Sequence, residues 1–199
     1  MPTKTAARPT VGSRDRILNA AIKRFSRNSY ERTSLRDIAA DVGVDVAYVH
    51  RCFGSKEGLF SEALAASAHV SELVNVSRDD LAGSLASQAL AGRGQRDQAL
   101  GIFIHSVSSP EAVPLLRRFI LDSVIDPLSE EIGGVSTTQA TLIAALLTGV
   151  SIFRNMLRLR PLLEAEGSEL EGLIAQAIQG MIDEADVTKA PGKLERASQ

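Results

Sequence analysis

Residues 46–51 bring Val46, Ala47, Tyr48, His50 and Arg51 together within two turns of chain, and these are side-chain types that can read a DNA groove. Arginine can bond guanine through two parallel hydrogen bonds, a small apolar side chain can touch the thymine methyl, and Tyr, His and Lys can reach phosphate oxygens. Such chemistry works only if one face of the segment is held against a support. The surrounding sequence supplies it. Leu35, Ile38, Ala39 and Val42 fall at i, i+3, i+4 and i+7, one face of a short helix. Ser34 stands where an N-cap hydroxyl takes an orphan amide hydrogen. Gly43 follows the last apolar residue, where a left-handed residue can end a helix without a Cβ penalty. Asp45 is placed to cap a second helix, whose inner face is expected to bury Val49 and Cys52, with Val44 filling the angle between the two. Ala39 is small where crossing helices need close backbones. The stretch from Thr33 to Lys56 thus has the layout of a helix-turn-helix. Two surface helices joined by a glycine turn would share that spacing.

Charge distribution supports the DNA reading. Residues 1–60 hold eleven Lys and Arg against six Asp and Glu, whereas the remainder holds eleven against eighteen, a split concealed by the whole-chain net charge of −2. A basic segment on an acidic body is expected where one end neutralises phosphates and the body must not.

At 199 residues and 44% hydrophobic content the chain can bury a sizeable core and hold a small domain beside a larger one. A single cysteine excludes an intramolecular disulfide framework, and Lys4 and Arg8 precede no apolar run of the kind a secretory signal needs. The apolar stretches are too short and interrupted to span a bilayer. No membrane association is expected, and a cytoplasmic location is.

Nearly every segment has helical period, so the expected fold class is all-α: an N-terminal three-helix helix-turn-helix domain and a larger C-terminal helical domain. Residues 1–12 read as a flexible basic arm, 13–58 as the helix-turn-helix domain, 59–185 as the larger C-terminal domain, and 186–199 as a disordered tail. A first helix from about Arg14 to Arg27, capped by Ser13, is expected to bury Ile17, Leu18, Ala21, Ile22 and Phe25. Ser55 caps a connecting helix from Lys56 to about Val76, burying Leu59, Phe60, Ala63 and Leu64. Further helices are expected over Asp79 to Ala91, over Gln95 to Ser106 with Leu100, Phe103 and Ile104 inside, and from Glu111 towards Ile132 with a break near Pro127. Gly92-Arg93-Gly94 and Gly133-Gly134 interrupt the chain. The most regular helices are expected at Thr137 to Arg160 and Glu169 to about Glu184. The first is apolar around more of its circumference than one core requires, which points to a partner surface.

Other chemistries find little footing. An enzyme would need a nucleophile with its base, a metal cluster or a phosphate-cradling loop; Gly92-Arg-Gly follows no strand, and no serine nucleophile elbow is present. His69 and His105 lack partners at metal spacing, so neither a metal site nor a cofactor is expected. Cys52 reads as a small buried hydrophobe rather than a redox switch. Phe103, His105, Leu116, Phe119, Ile120, Ser123, Leu147, Val150 and Phe153 can line a ligand pocket or equally form a plain bundle core. Arg154, with Arg117, Arg118, Arg158 and Arg160, is a candidate anchor for an anionic ligand or a partner of acids on neighbouring helices.

From Ile17 through Phe60 the sequence resembles the DNA-binding domain of TetR-type transcriptional regulators, through Ile-Leu-Asn-Ala-Ala, Phe25, Tyr30, Thr33, Leu35-Arg-Asp-Ile-Ala, Val42-Gly-Val, Phe53 and Ser55-Lys-Glu. Leu115-Leu-Arg-Arg-Phe, Gly149-Val-Ser-Ile-Phe-Arg and Arg160-Pro-Leu-Leu are similar to one of the family's C-terminal types. The resemblance implies a homodimer through the last two long helices, a palindromic operator with half-sites roughly 34 to 36 Å apart, and release from DNA by a small-molecule effector of unknown identity. It also implies phosphate contacts by Thr33 and Lys56, with Ser34 beside them among the residues expected at the DNA. Tyr48, His50 and Cys52 depart from the family's usual residues, and with Ser29 in place of the usual glycine, Asn28 is expected to supply the left-handed residue after the first helix. A DNA-binding protein of broad specificity, without ligand control, is the alternative.

Overall fold

The computed structural model describes residues 12–68, 78–91, 95–131 and 135–189, and among them there is no strand. The fold is all-α. In chain order the helices are α1 (Ser13–Phe25), α2 (Leu35–Val42), α3 (Val46–Phe53), α4 (Lys56–Ala68), α5 (Arg78–Leu90), α6 (Gln95–Ser106), α7 (Val113–Ile120), α8 (Asp126–Glu131), α9 (Thr137–Ser151), α10 (Arg160–Glu164) and α11 (Gly167–Lys189). They form two compact units, one of α1–α4, α6 and α7 up to Arg117, the other of α5, the rest of α7 and α8–α11.

The first unit is organised by three aromatic rings. Phe25 at the end of α1, Tyr30 in the following turn and Phe60 on α4 are all fully buried, with Phe60 edge-on to both others at 5.0 Å between centroids. Such edge-to-face pairs add about 0.5–1.5 kcal/mol beyond burial. Around them Ile17, Ala21 and Ile22 of α1, Ile38, Ala39 and Val42 of α2, Val49 of α3, and Leu59, Ala63 and Leu64 of α4 are buried as their spacing predicts, while the expected Leu18 and Leu35 are half-buried. The compact unit is larger than the helix-turn-helix domain alone, because α6 also packs on α1 and α4. Gly101 permits that approach: a Cβ there would stand 2.7 Å from the Ser26 carbonyl oxygen. On α6 the fully buried apolar residue is Ile102, and the expected Leu100, Phe103 and Ile104 are half-buried.

In the second unit, Leu81 and Leu85 of α5, Ile143 of α9 and Leu170, Ile174, Ile178 and Ile182 of α11 share a core with Ile125 and Leu128. Ser136 and Gln139 make a capping box on α9, and the Gln139 amide continues to the Met181 carbonyl at 2.6 Å, tying α9 to α11.

Several expected boundaries are corrected. Gly12 rather than Ser13 is the N-cap of α1, which has no side-chain cap. Asn28 is not left-handed; its backbone and side-chain N–H groups both donate to the Arg24 carbonyl, at 2.9 and 3.0 Å, closing the helix end by hydrogen bonding. The break expected near Pro127 is a π-helical turn at Leu121–Ile125. A proline lacks the N–H that the Ser123 carbonyl would receive and its ring crowds that carbonyl, so the widened turn upstream accommodates it. The expected helix from Thr137 to Arg160 passes through a second π turn at Ile152–Met156 and ends there. Pro161 cannot continue it, and Arg158 takes a left-handed φ of 52°, which costs on the order of 1–2 kcal/mol for a residue with a Cβ. The last helix begins at Gly167 and reaches Lys189, past the expected tail boundary at 186. The basic arm up to residue 11, the continuation of α4 towards Val76, His69, the two glycine breaks and residues 190–199 lie outside the described residues.

Candidate nucleic-acid interface

The turn between α2 and α3 is built from local rules and then clamped from outside. The Ser34 hydroxyl accepts from the Asp37 N–H at 3.2 Å while the Asp37 carboxylate accepts from the Ser34 N–H at 3.3 Å, a reciprocal capping box. Gly43 is left-handed, with φ 72° and ψ 39°. The Val44 N–H donates to the Ala39 carbonyl and the Gly43 N–H to the Ala40 carbonyl, the Schellman arrangement that satisfies the end of a helix. Two residues on, the Asp45 carboxylate takes the Ala47 N–H at 2.7 Å and starts α3. From α1, Arg24 grips Asp41 with both Nε and a terminal nitrogen, and Arg16 donates to the Val42 carbonyl at 2.7 Å. The hydrogen bond from Arg24 holds the Asp41 carboxyl below its ordinary range, as the Ser34 hydroxyl does for Asp37.

These clamps sort the cations. Arg14 pairs with Glu62 and lies over the Phe53 ring, so the arginines of α1 named above serve the fold. Arg51 is exposed, has no ion pair among the described residues and lies over the Tyr48 ring at 5.6 Å. Arg32 and Arg36, exposed on either side of Ser34, belong to the same surface-cation class. The sequence reading passed over them, although their outward position follows from the buried Ile38 and Ala39. Ala47 and His50 are exposed on α3, while Val46 and Tyr48 are half-buried. His50 Nδ1 is 3.1 Å from the Gly54 carbonyl. A carbonyl only accepts, so Nδ1 carries the proton, and in the neutral ring Nε2 is left as an acceptor.

Two expected residues have other surroundings. Thr33 is only 1% exposed, and its hydroxyl donates to the Ser29 carbonyl at 3.2 Å. It closes the turn before α2 rather than facing solvent. Cys52 is half-buried, and Phe53 takes the inner position; the neighbouring Cys52 thiol raises the Tyr48 phenol. Lys56 places Nζ 3.9 Å from the Tyr30 ring centre at the start of α4, where the Ser55 hydroxyl accepts from the Gly58 N–H. Burial pushes the Tyr30 phenol up.

The residues considered for an effector pocket are divided between the units. Phe103, His105 and Leu116 belong to the first, and Phe119, Ile120, Ser123, Leu147, Val150, Phe153 and Arg154 to the second. Ile120, Leu147 and Val150 pack on the second unit's core, while Phe153 is 49% exposed. Arg154 is already engaged: it donates to the Leu90 carbonyl at 2.8 Å and the Leu162 carbonyl at 3.3 Å, closing the end of α5 where four carbonyls lack helical partners. That is a structural use of the guanidinium. Among the described residues no group of three His, Cys, Asp or Glu could hold a metal ion, and no helix is long and apolar enough to cross a membrane.

A capped helix, a left-handed glycine and a second helix with an uncovered basic face define a helix-turn-helix protein. Residues 17–63 match the bacterial regulatory proteins of the tetR family, and residues 79–182 match the tetracyclin repressor-like C-terminal domain. The chain belongs to the TetR family. Over 61 residues it is 39% identical to the HTH-type transcriptional repressor ComR of Escherichia coli K12, and over 56 residues 39% identical to the HTH-type nicotine-responsive transcriptional repressor HdnoR of Paenarthrobacter nicotinovorans. Those alignments take in 31% and 28% of this chain and 29% of each relative, so it spans under a third of their length. Among solved structures, a TetR-family regulator of Streptomyces coelicolor A3 superimposes with a TM-score of 0.59 at 24% identity, over 90% of this chain and 99% of the other. The multidrug binding protein EbrR complexed with ethidium gives 0.60 at 19% identity, over 86% and 99%. At these identities the likeness concerns the fold.

Proposed function

We propose that the protein is a transcriptional repressor that binds a two-fold symmetric operator as a homodimer and leaves it when a small molecule occupies the C-terminal domain. The reading is carried by the outward face of α3, where Tyr48, His50 and Arg51 surround no core and Arg51 has no ion pair among the described residues. Ser34, Val46, Ala47 and Lys56 border that face in the chain, and the exposed Arg32 and Arg36 extend it towards α2. Family membership and the repressor names of the two relatives support control of transcription. The ethidium complex of a structural neighbour supports a small-molecule effector, with the apolar surroundings of Ile120, Leu147 and Val150 as its candidate lining.

Dimerisation is supported by apolar residues left in solvent on the last long helices. Leu142 on α9 is 53% exposed and Leu173 on α11 59%, and such residues gathered on neighbouring helices mark association surfaces. Selection from a randomised duplex library at near-physiological salt tests the proposal. A retained motif with two-fold symmetry and half-sites about one helical turn apart is the expected result; retention without sequence preference would replace it with a general DNA-binding role.

A further inference from the structure

We infer that Arg51 and Tyr48 form a single reading element, in which Arg51 takes a guanine in each half of the operator and Tyr48 positions its guanidinium. The inference rests on the DNA-binding reading above and specifies what that surface recognises. The two residues are three apart on α3, the spacing that makes side chains neighbours on a helix. The guanidinium carbon lies 5.6 Å from the centre of the Tyr48 ring, within the range of a cation held on an aromatic face.

Three arginines of α1 in the same unit show what this arrangement leaves available. Arg14, Arg16 and Arg24 direct their N–H groups to Glu62, the Val42 carbonyl and Asp41. A ring face accepts no conventional hydrogen bond, so stacking restrains Arg51 while leaving its donors unoccupied among the described residues. A braced side chain loses less conformational freedom on binding than one that must be ordered by the DNA.

The donor pattern selects the base. Arginine offers only donors, and in the major groove guanine alone presents two adjacent acceptors, N7 and O6, whereas adenine pairs an acceptor with a donor and cytosine offers a donor. His50 cannot substitute, because its Nδ1 is committed to the Gly54 carbonyl, which leaves a single ring nitrogen where guanine takes two donors.

The test selects duplexes from the same library with the full-length protein and with Arg51→Ala, Tyr48→Ala and Tyr48→Phe. Circular dichroism and thermal melting of each variant establish that it is folded. The expected result is a guanine at one fixed position per half-site for the unsubstituted protein. In Arg51→Ala that preference disappears while the other positions persist, and affinity for the selected site falls by about 5- to 160-fold per half-site. Tyr48→Ala blurs the same position, and Tyr48→Phe, which keeps the ring, restores it. If Arg51→Ala weakens all sequences alike, lowers the salt dependence and leaves the motif unchanged, Arg51 is a phosphate contact and the inference falls. It falls equally if Tyr48→Ala alters only a different position, since Tyr48 would then read its own base. Absence of any symmetric motif with the unsubstituted protein would instead remove the operator reading itself.

Discussion

In the first unit Val107 is the one exposed large apolar residue among those described, whereas the second unit leaves Leu142, Phe153, Leu157, Leu173 and others largely in solvent. The first unit also joins its helices by side chains that reach across them, Arg24 to Asp41 and Arg14 to Glu62. In the second, the Gln139 bridge to the Met181 carbonyl and the Arg154 bridge to the Leu90 carbonyl hold helix ends while whole helix faces stay uncovered. The contrast fits the two tasks proposed above. A reading head must have one shape before it meets DNA, and its core is accordingly complete within one chain. A domain that associates with a second copy leaves its hydrophobic driving force partly unused until the copy arrives.

Substitutions can break this comparison at graded depth. The largest effect is expected from Phe60→Ala, which removes the ring that meets both Phe25 and Tyr30. A loss of about 3–5 kcal/mol in urea denaturation is anticipated, and a loss below 1 kcal/mol would mean that the aromatic cluster does not organise the unit. Next is Gly101→Ala. Its Cβ would meet the Ser26 carbonyl oxygen at 2.7 Å, and overpacking of this kind costs about 1–3 kcal/mol. An unchanged unfolding midpoint would show that α6 can stand off from α1 freely.

Acid should act more gently and chiefly on the first unit. There Glu31, Asp37, Asp41 and Glu57 are all held below their ordinary range by hydrogen bonds, from Ser109, Ser34, Arg24 and Ser55 in turn. A lowered folded-state pKa gives stability that is complete above the unfolded value and lost as pH falls through the folded one. Stability measured from pH 6 downward should therefore hold until about pH 4–5 and decline below it. Asp41→Asn should flatten that decline, and an identical profile would exclude the Arg24 pair from the acid response. The smallest effect on the fold of one chain is expected from Leu173→Asp, within about 0.5 kcal/mol as for most surface changes. Its consequence should lie in association: sedimentation should show a shift from dimer to monomer, and an undisturbed dimer would place the interface elsewhere.

Much of the reading head was legible residue by residue. The caps at Ser34 and Asp45, the left-handed Gly43 and the buried face of Ile38, Ala39 and Val42 depend on neighbours within one turn, and the structure places them as their spacing predicts. Legibility failed where a residue had more than one local option. Ser13 and Gly12 can each precede a helix, Asn28 can turn left-handed or donate to a carbonyl, and a π turn can relieve a proline several residues upstream. The long helix expected to Arg160 failed for a similar reason, since apolar period persists through a bend that Pro161 makes necessary.

By itself the sequence determined the helical period, the helix-turn-helix and the asymmetry of charge, because each follows from short-range geometry or simple summation. Only the tertiary structure decided which polar groups remain available to a ligand. Arg16 reaches a carbonyl 26 residues away and Arg154 one 64 residues away. Thr33 turns inward to Ser29, while Arg51 rests on an aromatic ring and keeps its donors outward. A guanidinium has the same donors wherever it occurs in a chain. What it binds depends on which acceptors the folded backbone brings within about 3 Å, the reach of a hydrogen bond.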